Sequence, residues 1–184
     1  MNQPSQNSID PVFSNSQMDI DQLPKAEVIA YIPIEKKYAY VLYLSNCIFF
    51  AVLLMVILIV LGSQIGLLHW ITFGTLLFWV VLLLATLWFS SASVRHQKYA
   101  IRDRDISYQH GVFFRQWITV PFNRVQHCEI SRGFIDNLFG LSDLRVFTAG
   151  GSSSDISIPG LDPNTAHDLK ELIINKIGHA EEEE

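Results

Sequence analysis

The densest run of side chains able to do chemistry is His127-Cys128-Glu129. Imidazole, thiolate and carboxylate are zinc ligands, but strand alternation puts Cys128 on the face opposite the other two. One face then offers only His127 and Glu129, and no second spaced ligand pair follows to complete a tetrahedral site. Of the other five histidines, His110 stands beside Gly111 as a turn residue, while His167 and His179 read as exposed helix positions. Gly150-Gly151-Ser152-Ser153-Ser154 lacks the Gly-Lys-Ser/Thr ending of a phosphate loop and reads as a flexible turn. None of the serines stands in a Gly-x-Ser-x-Gly elbow. No catalytic, metal or cofactor residues are assigned. An unrecognised enzyme is the remote alternative, and it would need a pocket converging on His127, Glu129 and an arginine.

The arginines are the remaining candidates. Arg95, Lys98, Arg102 and Arg104 are expected to crowd the membrane end, while Arg115, Arg124, Arg132 and Arg145 lie in or beside expected strands. Anionic headgroups attract such charges by about 1 kcal/mol each close to a membrane surface. Arg102, Arg104, Arg115 and Arg124 are the candidate contacts to lipid or to a protein partner. From Arg95 to Gly178, 10 Lys and Arg stand against 9 Asp and Glu, and the whole chain carries a net charge of −5. A nucleic-acid binder would be clearly basic, so that class is excluded.

The elements that must position these residues begin with an uncharged block. From Tyr38 to Val94, 57 residues pass without an Asp, Glu, Lys or Arg, and His69 is the only imidazole there. One helix of that length would run roughly 85 Å at about 1.5 Å per residue. A bilayer core is about 30 Å thick, so the block (38–94) must fold back as two spans, near 42–61 and 70–89. Gly62, Ser63, Gln64 and Gly66 supply the break. Tyr38, Tyr40, Tyr43, Trp70 and Trp88 fit interfacial anchors. Lys36 and Lys37 precede the first span, and Arg95, Lys98, Arg102 and Arg104 follow the second, so both termini are expected in the cytoplasm. With no ionisable Asp, Glu, Lys or Arg inside the spans, an ion path is disfavoured. Cys47 in the first span and Cys128 on a strand read as small apolar residues.

Outside the spans the chain changes character. Residues 1–24 are polar, carry three prolines and lack apolar periodicity, so 1–37 reads as a disordered tail and a juxtamembrane segment. Pro33 holds Ile32 to Ile34 extended. After the second span come short apolar and β-branched runs: 99–101, 106–108, 112–120, 124–130, 144–148 and 155–158. Residues 133–141 read as a loop or helical turn. Asp162 is a helix N-cap and Pro163 a first helical residue. Ala166, Leu169, Leu172, Ile173 and Ile177 then recur at helical spacing on one apolar face, and Gly178 is a stop signal. Residues 180–184 form an acidic tail. The fold class is therefore α+β: a transmembrane hairpin, then a small antiparallel sheet or barrel closed by an amphipathic helix.

Strands closed by one C-terminal helix are the order of a pleckstrin-homology-like fold, and particular residues strengthen the likeness. Tyr108-Gln109-His110-Gly111-Val112 and Val120-Pro121-Phe122-Asn123-Arg124-Val125-Gln126 resemble the bacterial PH-like domain of the YdbS type. Glu129-Ile130 to Gly133, Phe139-Gly140-Leu141, Thr148-Ala149-Gly150-Gly151, Ile158-Pro159-Gly160-Leu161 and the stretch from Ala166 to Leu169 continue it. The resemblance covers about residues 95–178 and places a cytoplasmic PH-like domain at 95–179. It implies a membrane-flanked bacterial protein without catalytic residues. The expected function is a non-enzymatic interaction module at the bacterial inner membrane, docking a membrane protein partner or another copy of itself. The alternative is a sensor of anionic lipid headgroups, with membrane lipids as its partners.

Overall fold

The computed structural model describes residues 29–64, 70–149 and 156–182. The uncharged block forms two helices, α1 (Tyr38–Gln64) and α2 (Trp70–His96), of 27 residues each. Both are long and apolar enough to cross a membrane. At about 1.5 Å per residue each measures roughly 40 Å, some 10 Å more than a bilayer core. The expected span 42–61 is the middle of α1, and 70–89 is the first part of α2, which runs on to His96. Gly62, Ser63 and Gln64, read as part of the break, continue α1. Residues 65–69, with Gly66 and His69, lie outside the described residues. So do the expected tail at 1–24, the glycine-serine turn at 150–154 and the last two residues of the acidic tail.

Among the described residues of the hairpin several polar side chains find partners within it, as a medium without water favours, while the buried Trp79 indole N–H has none. Asn46 Nδ2 donates to Ser90 Oγ at 2.8 Å across the two helices, and Ser90 Oγ donates to the Thr86 carbonyl at 2.8 Å. Trp79 meets Phe50 edge-on at 5.8 Å.

Among the described residues seven strands follow the expected order with one addition. The juxtamembrane segment is itself a strand, β1 (Ile32–Pro33), and it pairs antiparallel with β2 (Lys98–Ile101). An edge position suits Pro33, which has no N–H to give a ladder. β3 (Asp105–His110) and β4 (Gln116–Pro121) complete one sheet in the order β1-β2-β3-β4. A short turn of 3-10 helix (Phe122–Arg124) leads into β5 (Val125–Ser131). A helical turn, α3 (Phe134–Leu138), precedes β6 (Ser142–Thr148) and β7 (Ile156–Leu161), giving a second sheet β5-β6-β7. Among the described residues no strand pairing joins the two sheets, so the barrel is not closed.

The last helix, α4 (Pro163–Glu182), starts as its sequence dictates. Asp162 Oδ1 accepts the Asn164 N–H at 2.9 Å, and the Asp162 carbonyl accepts from Ala166 at 2.8 Å. Gly178 does not stop it. The residues that follow are good helix formers, and a single glycine costs only about 1 kcal/mol in a helix. Ala166 and Ile173 are fully buried, and Leu169 and Ile177 pack beside them. Leu172, expected on the same face, is exposed instead.

One core unites the parts. Ile106, Leu144, Val146, Ile156 and Ile158 are fully buried, drawn from both sheets. Ile34 and Val94, from the two sides of the membrane hairpin, belong to the same cluster, with Tyr38, Ala39 and Leu42 of α1 packed on it. Each fully buried Ile or Leu contributes about 1.5–3 kcal/mol, so the start of α1 is structurally part of the domain.

Candidate functional site

Antiparallel topology gives the domain two ends. β2 leaves α2 and runs away from the helices, β3 returns, and β4 leaves again. The β3–β4 turn (111–115) therefore lies at the membrane end, and the β2–β3 turn (102–104) at the far end. Ring contacts agree. Phe113 stacks on Phe89 of α2 at 5.9 Å, and Phe139, just after α3, stacks on Tyr40 of α1 at 6.2 Å.

The four candidate arginines are not brought to one place. Arg115 is exposed at the membrane end. Arg102 and Arg104 occupy the far turn, and the Arg104 carbonyl accepts the Phe122 N–H at 2.9 Å. That bond sets Arg124, two residues on, near the same end. A six-residue strand spans about 20 Å, well beyond a screening length of about 8 Å at physiological salt. Arg102 is also engaged: its Nε and Nη2 both reach Asp105, at 2.7 Å each. Lys98 and Arg95 lie beside the helices, and Arg132 donates through Nε to Ser142 Oγ at 2.7 Å.

His127 and Glu129 share the outer face of β5, with Nε2 and Oε1 3.5 Å apart, while Cys128 points into the core. Burial pushes the Cys128 thiol up to about 11, the opposite of an activated nucleophile. The His127 ring is stacked on Phe147 at 4.4 Å. Among the described residues no group of three His, Cys, Asp or Glu gathers to hold a metal. His110 closes β3 with its ring against Tyr108 at 5.2 Å. His167 is exposed on α4, with Nε2 3.3 Å from Glu171.

The joint between helices and sheet is the most elaborately bonded part of the molecule. Gln97, between α2 and β2, accepts the Tyr108 hydroxyl on Oε1 at 3.0 Å and the Ile34 N–H on its carbonyl at 3.4 Å. Burial raises the Tyr108 hydroxyl well above its ordinary range, so it remains a proton donor there. Opposite, the Gly160 carbonyl accepts the Glu35 N–H at 3.1 Å, and the Gly160 N–H donates to Asp143 Oδ1 at 3.2 Å.

Asp143 is half-buried, and burial raises its pKa, with the Gly160 N–H acting the other way. A native carboxyl with a raised pKa favours the folded state most while protonated. As pH climbs past about 3.9, the unfolded chain ionises first, and stability falls until the native value is passed. Asp143→Asn keeps an acceptor for Gly160 and removes the ionisation. Melting curves in detergent should show it more stable than the parent at pH 7 and equal near pH 3.5. Lower stability at pH 7 would contradict this account.

Sequence reasoning missed Phe113, Phe114, Phe134 and Leu138, which are large apolar side chains left exposed at the membrane end. Reading 112–120 as one strand hid the first two. The signal was Gly111, whose φ of +102° turns the chain before Phe113.

Comparison with known proteins agrees with this architecture. The chain is 28% identical over 106 residues to the transmembrane protein YdbS of Bacillus subtilis (strain 168), a match covering 52% of this chain and 65% of the relative. It thus spans less than two thirds of that relative's length. No solved structure matches. The sequence profile of the bacterial PH domain matches residues 39–177, hairpin and sheets together. The chain belongs to the bacterial PH domain family, as a membrane form whose helices are set between the first two strands of its sheet.

Proposed function

We propose that this chain is a non-enzymatic, membrane-anchored docking module, engaging a membrane protein partner or a second copy of itself at the cytoplasmic face of a bacterial inner membrane. The observation that carries this reading is the outer edge of β4. That strand ends its sheet, and among the described residues no other strand pairs with its free side. Trp117 stands 58% exposed on it. An unpaired edge with an exposed aromatic is a template for strand addition, where main-chain bonds give affinity and side chains give selectivity. Arg104 and Arg124, exposed at the far end, add charge to the surface turned away from the membrane. Three of the four candidate arginines lie there, which favours a protein partner over headgroup sensing. The cytoplasmic placement follows from Lys36, Lys37, Arg95 and Lys98 flanking the spans.

The test is photocrosslinking of the full-length protein in its native membrane, with a photoreactive phenylalanine in place of Trp117 and, separately, of Asn123. A discrete adduct at either position supports docking, and its mass separates a second copy from another protein. Monomer alone at both positions would defeat the proposal.

A further inference from the structure

Two separate loops carry the most exposed large apolar side chains among the described residues of the domain. Phe113 and Phe114 lie in the β3–β4 turn, 74% and 87% exposed. Phe134 and Leu138, 90% and 67% exposed, stand four residues apart on α3, and so on one face of that turn. Isolated exposed apolar residues need no explanation. These four differ because both loops sit at one end of the domain and each touches a membrane helix. Phe113 stacks on Phe89, and α3 is followed at once by Phe139 on Tyr40.

The position of Phe89 sets the depth. It lies six residues before Arg95, the first charge after the uncharged block, or about 9 Å along the helix axis. Apolar side chains of interfacial elements sit about 5–10 Å into the boundary between headgroups and acyl chains. A ring packed on Phe89 therefore occupies that boundary if α2 crosses the bilayer at all. Arg115 follows Phe114 directly, and Arg132 precedes Phe134 by two residues. Each apolar tip thus has a cation close to it in sequence, as membrane-surface anchors do, Arg132 being held through Nε by Ser142 and α3 also carrying Asp136. A protein partner would have to enter the lipid alongside the helices to cover the same side chains.

We infer that Phe113, Phe114, Phe134 and Leu138 insert into the apolar boundary of the bilayer that α1 and α2 cross, seating the domain on lipid at two points flanking the hairpin. This goes beyond the docking proposal and is independent of whether a partner binds β4. Its ligand is the lipid surface, engaged through apolar insertion rather than recognition of one headgroup.

The experiment uses the full chain with Cys47→Ala and Cys128→Ala, reconstituted in phosphatidylcholine–phosphatidylglycerol vesicles. Single cysteines at Phe114→Cys, Phe134→Cys and, as the far-end control, Asp103→Cys carry a fluorophore. Quenching by lipids brominated near the top of the acyl chain should be several-fold stronger at positions 114 and 134 than at 103. Quenching by aqueous iodide should show the reverse order. Two positions on different loops guard against one label merely disturbing its own turn. Iodide access at 114 and 134 equal to that at 103 would overturn the inference. Shielding from both quenchers would also overturn it, because protein rather than lipid would then cover the tips.

Discussion

A chain carrying Ile34→Asp should lose its folded C-terminal domain, although the substitution lies on the other side of the membrane hairpin. Ile34 is only 4% exposed, within the cluster that holds Ile106, Leu144 and Ile158. Truncation to Ala should cost about 2–4 kcal/mol, the usual range for a buried Ile. An unpaired carboxylate costs more, a large share of the 5–15 kcal/mol by which domains are stable. The same reasoning applies to a fragment of residues 95–184, which lacks β1 and Ile34. Joining 29–35 to 96–182 through a short loop should restore both, because Ile34 donates directly to the Gln97 carbonyl. The joined chain should melt roughly 8–32 °C above the fragment, at about 4–8 °C per kcal/mol for a domain of this size. Equal melting of the two would show that β1 is ornamental.

Gly160→Ala should destabilise the joint between helices and sheet strongly for a single added methyl group. Gly160 has a φ of +65°, and a Cβ there would stand 2.6 Å from both Cβ and Cγ of Tyr38. The left-handed backbone costs a non-glycine residue roughly 1–2 kcal/mol, and overpacking typically adds about 1–3 kcal/mol. The clash involves the root of the Tyr38 side chain rather than its tip, so rotation about a terminal bond does not relieve it. The strain falls where the Gly160 carbonyl receives Glu35 and its N–H reaches Asp143. Thermal unfolding in detergent should show a loss of about 2–5 kcal/mol, and Tyr38→Ala in the same chain should recover only the part due to the ring, since its own Cβ stays in place. A loss unchanged by Tyr38→Ala would clear the ring and assign the effect to the backbone and the Cβ–Cβ contact.

What was legible in the sequence was what local chemistry determines. An uncharged run of 57 residues has few alternatives to a membrane hairpin, and Asp162-Pro163 marks a helix start by the bonds it makes and the one it omits. Alternation on β5 correctly sent Cys128 inward and His127 and Glu129 outward. What was hidden depends on partners distant in the chain. Two residues, one of them proline, make no strand signal, and β1 exists only because β2 arrives after the hairpin to pair with it. Val112, Phe113 and Phe114 have the composition of a strand, but a Cβ on Gly111 would fall 1.9 Å from the Phe114 carbonyl oxygen, so the chain turns there. The arginines looked equivalent as a list. Only the direction of each strand separates Arg115 from Arg102, Arg104 and Arg124.

The pairing of β1 with β2 also orders events during synthesis. β1 is made before either membrane helix and β2 after both, so the first two strands of the sheet cannot meet until both helices have been made. They can meet only if both helix ends emerge on the same side. A chain in which one helix failed to insert, or crossed alone, would leave Ile34 without its core and β2 with a bare edge. Folding of the domain is thereby tied to how the two helices are placed, and a chain with misplaced helices would leave apolar core surface exposed.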